Sequence, residues 1–514
     1  MKMKLRILAL VALLFATAAI ADEDLPQTCS WTSIEKDPSL KEMIYDVGDG
    51  PKPFQAYVEP PLESFYKGDP PSKTRVVPKF NGLAGKFVNM SNKNLNFYWE
   101  SAVGGAVHLM RHYKPFSTGG TGTFPGHRFF FSPDNDPDTR VKEFVVGEYP
   151  QNYYVYDPYF VEGDPVQTEK NLKANLNKKE RKQYDKWRKT LLFNEQYLNF
   201  TGRSYLANYL DDGPRKAPSH FMWPADYFGQ EHWVVTKETH FDRLPPSDDL
   251  DPILITGTKR VLKDGDPRIL QEYRVKDEPY MNMTLKVLSV IPRVFEIQNF
   301  LSPTEIDHIL DLAGGIELHE STTGDVGTDR GSDRTKGLER KTKTRTSKNS
   351  WVPREKSPII DAIYRRAADL TRIDEALLRS RDKDEHPEVP TKRKVCEELQ
   401  LVHYGPEQEY TAHHDFGHTH IDDNLAGARF ATILFYLNEG MEGGHTSFPR
   451  YVNGESFHEL AVKPEAGKAV LFYSQLPDGN MDDFSQHAAK PIIEGEKWLI
   501  NLWIWDPVKD TEDE

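Results

Sequence analysis

Cysteine is almost absent: the 514 residues contain two, Cys29 and Cys396. That number excludes a disulfide scaffold, and neither residue has the paired spacing of a structural zinc site, which leaves one bridge or none. Long apolar runs are missing too. No stretch approaches the roughly 20 apolar residues that cross a bilayer, so no integral membrane span is expected. Positive charge is in the minority, 65 Lys and Arg against 79 Asp and Glu for a net of −14. Such a balance repels a polyanion and argues against nucleic acid as a partner. Fixed-period repeats do not occur, which removes solenoids. The remainder, 38% hydrophobic and 28% charged, fits a globular chain whose length suggests about three folding units.

Lys2, Lys4 and Arg6 precede the apolar run Ile7 to Ile20, and Ala19-Ile20-Ala21 offers a small-x-small cleavage site. Residues 1–21 therefore read as a signal peptide, with a mature start at Asp22 and an expected place in the secretory pathway, lumenal or secreted. The tail Asp510 to Glu514 has no KDEL-like signal, so endoplasmic reticulum retention and secretion both stay open. Asn89-Met-Ser91, Asn199-Phe-Thr201 and Asn282-Met-Thr284 are glycosylation sequons compatible with that compartment.

Seven prolines between Pro51 and Pro78 disfavour helices and central strands, so 22–77 reads as an extended N-terminal segment. From 78 to 160, runs such as Asn96-Phe-Tyr-Trp99 and Arg128-Phe-Phe-Phe131, punctuated by Gly119-Gly-Thr-Gly122 and Pro125-Gly126, predict a small β-sandwich. Residues 161–283 read as a mixed connection with one exposed charged helix from Lys170 to Phe193, which holds neither Pro nor Gly. Two helix starts follow. Ser302-Pro-Thr-Glu305 supplies an N-cap, a first-turn proline and a capping-box glutamate. Ser357-Pro358 opens a second helix, with Ile359, Ile360, Ile363, Ala367 and Leu370 near helical spacing. Beyond Glu398 the pattern turns to short strands, from Leu399 to Tyr404, Phe430 to Leu437, Ala469 to Tyr473 and Trp498 to Trp505. Two helices followed by many strands predict a C-terminal double-stranded β-helix, a jelly roll with buttressing helices, over 284–508, ahead of an acidic tail at 509–514.

Among those strands lies Tyr410-Thr-Ala-His413-His414-Asp415, and His487 follows 72 positions after Asp415. Residues two apart on a strand share a face, so His413 and Asp415 are expected to grip one metal ion while a distant strand supplies His487. Two imidazoles and one carboxylate leave positions open on an octahedral ion, the arrangement of non-haem Fe(II) oxygenases. By the same alternation Lys497, Leu499, Asn501 and Trp503 share a face. A lysine on a buried face near a metal calls for an anion, because an unpaired ammonium there is costly. A dicarboxylate chelating the metal with its other end satisfies it.

Arg293-Val-Phe-Glu-Ile-Gln-Asn-Phe-Leu301, Arg345-Thr-Ser347, Glu398-Leu-Gln-Leu-Val-His-Tyr404, the metal motif, Gly443-Gly-His-Thr-Ser-Phe-Pro449 and Gly495-Glu-Lys-Trp-Leu-Ile-Asn-Leu-Trp503 stand in an order shared with a known family. Through them residues 285–507 resemble the catalytic region of prolyl 4-hydroxylases, Fe(II)- and 2-oxoglutarate-dependent dioxygenases. The resemblance implies Fe(II) ligands at His413, Asp415 and His487, 2-oxoglutarate contacts from Lys497, Tyr404, Thr446 and Asn501, and substrate-facing positions at Tyr410, Arg429 and Trp503. It implies hydroxylation of proline in a peptide or protein partner, coupled to conversion of 2-oxoglutarate to succinate and CO₂, with ascorbate as reductant. A lysine at 497 is similar to prolyl rather than lysyl hydroxylases. The competing readings are a related oxygenase acting on another residue or a small molecule, and a non-catalytic peptide-binding scaffold. His414, His418, His420 and His445 depart from the family pattern, and the nine cations and two acids of Arg334 to Lys356 suit an acidic or polar peptide.

A second resemblance is carried by Phe87-Val-Asn-Met-Ser91, Phe97-Tyr-Trp99 and Gly119-Gly-Thr-Gly-Thr-Phe-Pro-Gly-His-Arg-Phe129. These look like the von Hippel-Lindau protein β domain, with Thr123, His127 and Phe129 at hydroxyproline-pocket positions and Met110 in place of the pocket tyrosine. It implies a β-sandwich that reads hydroxyproline peptides.

Overall fold

The computed structural model describes residues 42–46, 51–60, 62–68, 83–102, 105–134, 136, 138–210, 213–243, 273–276, 278–321, 345–381, 394–416, 428–452 and 459–506. The expected signal peptide, Cys29, His418, His420, the basic stretch before Arg345 and the acidic tail lie outside these residues.

Nine antiparallel strands form the main sheet, in the spatial order Glu231–Thr236, Met281–Ser289, Val294–Ile297, Ala469–Tyr473, Arg429–Tyr436, Lys497–Trp505, Leu399–Tyr404, Lys348–Val352 and His319–Glu320. A smaller sheet, ordered Tyr410–His413, His487–Ala489, Thr446–Phe448 and Leu460–Val462, lies against it. Val402, Tyr404, Leu434 and Leu499 of the first pack with Phe448 and Val462 of the second in one buried cluster. These two layers are the jelly roll. The main sheet reaches further upstream than the sequence suggests, since Glu231–Thr236 pairs with Met281–Ser289.

The central strand Arg429–Tyr436 is buried from Phe430 onward because it is covered on both faces, which is why its sequence is apolar without alternation. Helices Pro303–Ala313 and Pro358–Thr371 begin where their caps predict, and Ser302 and Glu305 complete a reciprocal capping box. The two helices are tied by a fully buried Arg366–Glu305 pair at 2.8 Å.

Residues 83–156 form two further sheets. One is ordered Ser117–Thr123, Leu83–Asn89, Tyr153–Tyr156, and the other Val107–Tyr113, Leu95–Glu100, Arg128–Pro133, Lys142–Val145. Phe87 meets Phe97 and Phe129 between them, with ring centroids 4.5 and 4.9 Å away. The single helix expected from Lys170 is two helices, Pro165–Asn175 and Lys178–Thr201. Leu176 is extended, and Asn177 accepts from the Lys179 and Glu180 N–H groups to start the second. In the proline-rich segment Pro51–Gln55 pairs with Glu42–Asp46 as a hairpin. Asn89 of the first sequon is buried and donates to Lys93 O and Lys114 O, so the folded chain does not present it. Cys396 is a buried free thiol, pushed up to about 12 by burial.

Candidate active site

His413 closes the strand Tyr410–His413 and His487 opens its neighbour; the two are register partners with rings 4.4 Å apart. Asp415 is not on that strand. It lies in the turn that follows, so the turn rather than strand alternation returns its carboxylate to His413. Its Oδ1 is 3.6 Å from His413 Nε2 and its Oδ2 is 3.6 Å from His487 Nε2. One potential ligand atom from each of the three residues lies within 4.8 Å of the others.

The donor chemistry fits a divalent cation. His413 Nδ1 lies 2.8 Å from Thr411 O and His487 Nδ1 lies 3.1 Å from Ser485 O. A carbonyl only accepts, so each Nδ1 carries its hydrogen and each Nε2 keeps a free lone pair. Burial holds both imidazoles below their usual range, which keeps them neutral as ligands must be. Burial alone would raise Asp415, but His487, His413, Arg429 and the Thr432 hydroxyl outweigh it and hold the carboxyl below the usual carboxylate range. Thr432 Oγ1 donates to Asp415 Oδ2 at 2.6 Å and Trp503 Nε1 donates to the same oxygen at 3.0 Å. Replacing Thr432 by the isosteric valine is expected to weaken divalent-metal binding about tenfold, within the range for loss of a ligand's outer partner. A Co(II) titration checks this, and an unchanged affinity would leave Trp503 as the group that orients the carboxylate.

Every residue that the oxygenase resemblance placed at the site, except Arg429, lines one cavity between the sheets. Lys497, Asn501 and Trp503 line it together with Leu499, as alternation along one strand predicts. Lys497 is buried, and its ammonium donates to Gly444 O at 2.6 Å and approaches Thr446 Oγ1 at 3.4 Å. Among the described residues no carboxylate pairs with it, and burial pushes its pKa down to about 7. Tyr404, its register partner, presents a ring centroid 5.7 Å from Nζ.

Arg429 stands outside the cavity. It pairs with Glu397 at 2.6 and 3.0 Å, donates to Asp415 O at 3.1 Å and lies 4.1 Å over the Trp503 ring. It braces the carboxylate turn and the tryptophan from behind. Sequence reasoning assigned no role to Thr432, Glu397 or Gln400, and took Arg345 only as part of the shared family order and as one of the cations of Arg334 to Lys356. Arg345 and Gln400 line the cavity, joined at 3.3 Å, and the Arg345 guanidinium lies 4.7 Å over Tyr410, whose ring stacks on His413. A hydroxyl inside the apolar run Phe430 to Tyr436 was the available signal for Thr432, since a buried polar group requires a partner.

Residues 399–505 match the model of the 2OG-Fe(II) oxygenase superfamily. Fold and metal set together define a 2-oxoglutarate- and Fe(II)-dependent dioxygenase. Probable prolyl 4-hydroxylase 3 of Arabidopsis thaliana is 32% identical over 231 residues, 43% of this chain and 71% of that protein. Prolyl 4-hydroxylase subunit alpha-1 of Gallus gallus is 30% identical over 221 residues, 41% of this chain but 36% of that subunit. The chain belongs to the prolyl 4-hydroxylase family. The crystal structure of a viral collagen prolyl hydroxylase from Paramecium bursaria Chlorella virus-1 covers 42% of this chain and 96% of its own, at 23% identity and a TM-score of 0.29.

Proposed function

We propose that this chain is a secretory-pathway peptidyl-prolyl 4-hydroxylase whose oxygenase unit spans 284–508, behind a β-sandwich at 78–160. The observation that carries the reading is Lys497, a buried cation without a carboxylate partner among the described residues, in the same cavity as the His413, Asp415 and His487 donors. A cation at one end and a metal set at the other suit a ligand with a carboxylate at one end and a chelating keto acid at the other, which is 2-oxoglutarate.

His413, Asp415 and His487 hold the iron, and Lys497 with Thr446, Tyr404 and Asn501 holds 2-oxoglutarate. When bound, iron with 2-oxoglutarate would supply an oxidation by dioxygen in which one oxygen atom converts a proline ring C–H to C–OH and the other enters succinate as 2-oxoglutarate loses CO₂. The protein contributes position and dryness. Tyr410 and Trp503 wall the cavity where the peptide enters, Arg429 fixes Trp503, and the buried sheet faces exclude water. Ascorbate serves as the reductant that keeps the iron ferrous. The experiment is incubation with Fe(II), 2-oxoglutarate and a panel of proline-rich peptides, read by mass. A gain of one oxygen on proline with matching succinate supports the reading, and succinate without peptide oxidation favours another substrate.

The β-sandwich supports a second role. Thr123 Oγ1 lies 3.2 Å from His127 Nδ1, and the His127 ring sits among Trp99, Phe124 and Phe129 at 5.8, 5.3 and 6.3 Å. Trp99 Nε1 is a buried donor without a hydrogen-bond partner among the described residues. Aromatic faces with a hydroxyl–imidazole pair and a spare N–H suit a hydroxylated ring such as hydroxyproline. A module that holds product beside the site that makes it raises the effective concentration of remaining sites on the same substrate. The metal-free full chain is expected to bind a hydroxyproline peptide more tightly than its proline counterpart by calorimetry, and His127→Ala to erase the difference. Equal binding of the two peptides would leave the sandwich as a structural module.

A further inference from the structure

We infer that Arg203 is a positioning residue for the third metal ligand, so that the N-terminal half of the chain is part of the active site; this rests on the reading of His413, Asp415 and His487 as the metal ligands. Residues 474–486 connect the strand Ala469–Tyr473 to His487 and are buried throughout, although they carry Asp478, Asn480, Asp482 and Asp483. Such a loop stays buried only if partners for its polar groups are supplied. Most come from far upstream, outside the 399–505 family match. Asp478 Oδ2 accepts from the Tyr197 hydroxyl at 2.7 Å, and Asn480 Oδ1 accepts from the Leu206 N–H at 2.8 Å. Arg203, itself paired with Glu59, donates to Asp482 Oδ1 at 2.9 Å and lies 4.2 Å over the Phe484 ring.

The Asp482 contact reaches the metal set by a short path. The same Oδ1 accepts the Phe484 N–H at 3.0 Å and so caps the turn Asp483–Ser485. The carbonyl at the end of that turn, Ser485 O, is the acceptor for His487 Nδ1. That hydrogen bond sets the tautomer and the aim of the imidazole. Arg203 therefore neutralises the carboxylate that shapes the turn that orients the ligand. Without its cation the Asp482 carboxylate is a buried, uncompensated charge, and the turn relaxes to hydrate it.

The test uses the full chain with Co(II) as probe metal, followed by its visible absorption, and thermal melting of the metal-free proteins alongside. Arg203→Met keeps the length and removes the charge; it is expected to weaken Co(II) binding about 10- to 100-fold, the effect of losing a ligand's outer support. Arg203→Lys is expected to recover part of the loss. Arg215→Met is the matched control, because Arg215 is also buried and upstream and its backbone passes the loop at Gly479, but its side-chain ion pair is with Asp506, at 3.0 Å, and not with a loop residue. It is expected to lower the melting temperature and leave Co(II) affinity unchanged. If Arg203→Met does not fold, Asp482→Asn decides, since it keeps the capping oxygen and loses the ion pair. Wild-type affinity in the folded Arg203 or Asp482 variant, or an equal loss in Arg215→Met, overturns the positioning role. Failure of the wild-type chain to bind Co(II) overturns the ligand assignment beneath it.

Discussion

Replacing His487 by alanine is expected to abolish peptide-dependent succinate formation. Asp415 and His413 remain, but they are neighbours in one strand and its turn, and two ligands from one side cannot fix the facial geometry that leaves adjacent positions for cosubstrate and dioxygen. The loss is expected to be complete rather than partial, because His487 is the only one of the three carried by the strand His487–Ala489. Succinate release measured across an iron titration checks it. Full activity of the variant at limiting iron would remove His487 from the metal set.

The second large effect concerns Lys497. Its ammonium is buried beside Gly444 O and Thr446 Oγ1, and in the absence of an anion burial pushes its pKa down to about 7. Binding of the far carboxylate of 2-oxoglutarate there is expected to restore the charged form. Above pH 7 the free site is mostly neutral and must take up a proton to bind, so affinity is expected to fall as pH rises from 7 toward the lysine's ordinary range. Calorimetry in buffers of different ionisation enthalpy should register that uptake. The stability linkage has the opposite slope: between about pH 7 and the usual lysine pKa the unfolded chain binds the extra proton, so without ligand this group's contribution to stability rises with pH. Lys497→Ala is expected to cost about 2–5 kcal/mol of 2-oxoglutarate binding, as for a broken buried pair, and to eliminate the proton uptake. Arginine keeps the charge but is longer and planar, so it is expected to recover only part of the affinity. An anaerobic titration of the iron-loaded variants decides, and an unshifted curve takes Lys497 out of the cofactor site.

Much of this site was legible in the chain because it depends on local rules. Alternation placed Lys497, Leu499, Asn501 and Trp503 on one face, and all four line the cavity. The caps at Ser302 and Ser357 start their helices as read, because capping is decided by three or four consecutive residues. The break at Leu176 was equally local, since Asn177 and Glu180 form a capping box, but the run of good helix formers around it concealed the boundary. Alternation failed at Asp415, where a strand was extended past its end; the spacing of two was right and its structural reason was a turn. The resemblance implied a substrate-facing position for Arg429, and only the fold brings Glu397 to it from 32 residues away. Nor does any local pattern show that the polar loop before His487 is buried, because the partners of Asp478, Asn480 and Asp482 lie 274 to 421 residues upstream.

The pairing of His413 with His487 links metal chemistry to folding. The strand Tyr410–His413 is at the edge of its sheet, short, and irregular in register between its ends, with a single bridge from Tyr410 to Arg345 on its outer side. A slip of one residue would turn His413 to the opposite face and dismantle the donor set. On the proposed ligand assignment, a metal ion held by both histidines and Asp415 would act as a clasp across that edge, and by mass action it would stabilise the paired register more the further its concentration exceeds Kd. Iron supply would then set not only how many molecules are loaded but how firmly the small sheet is closed.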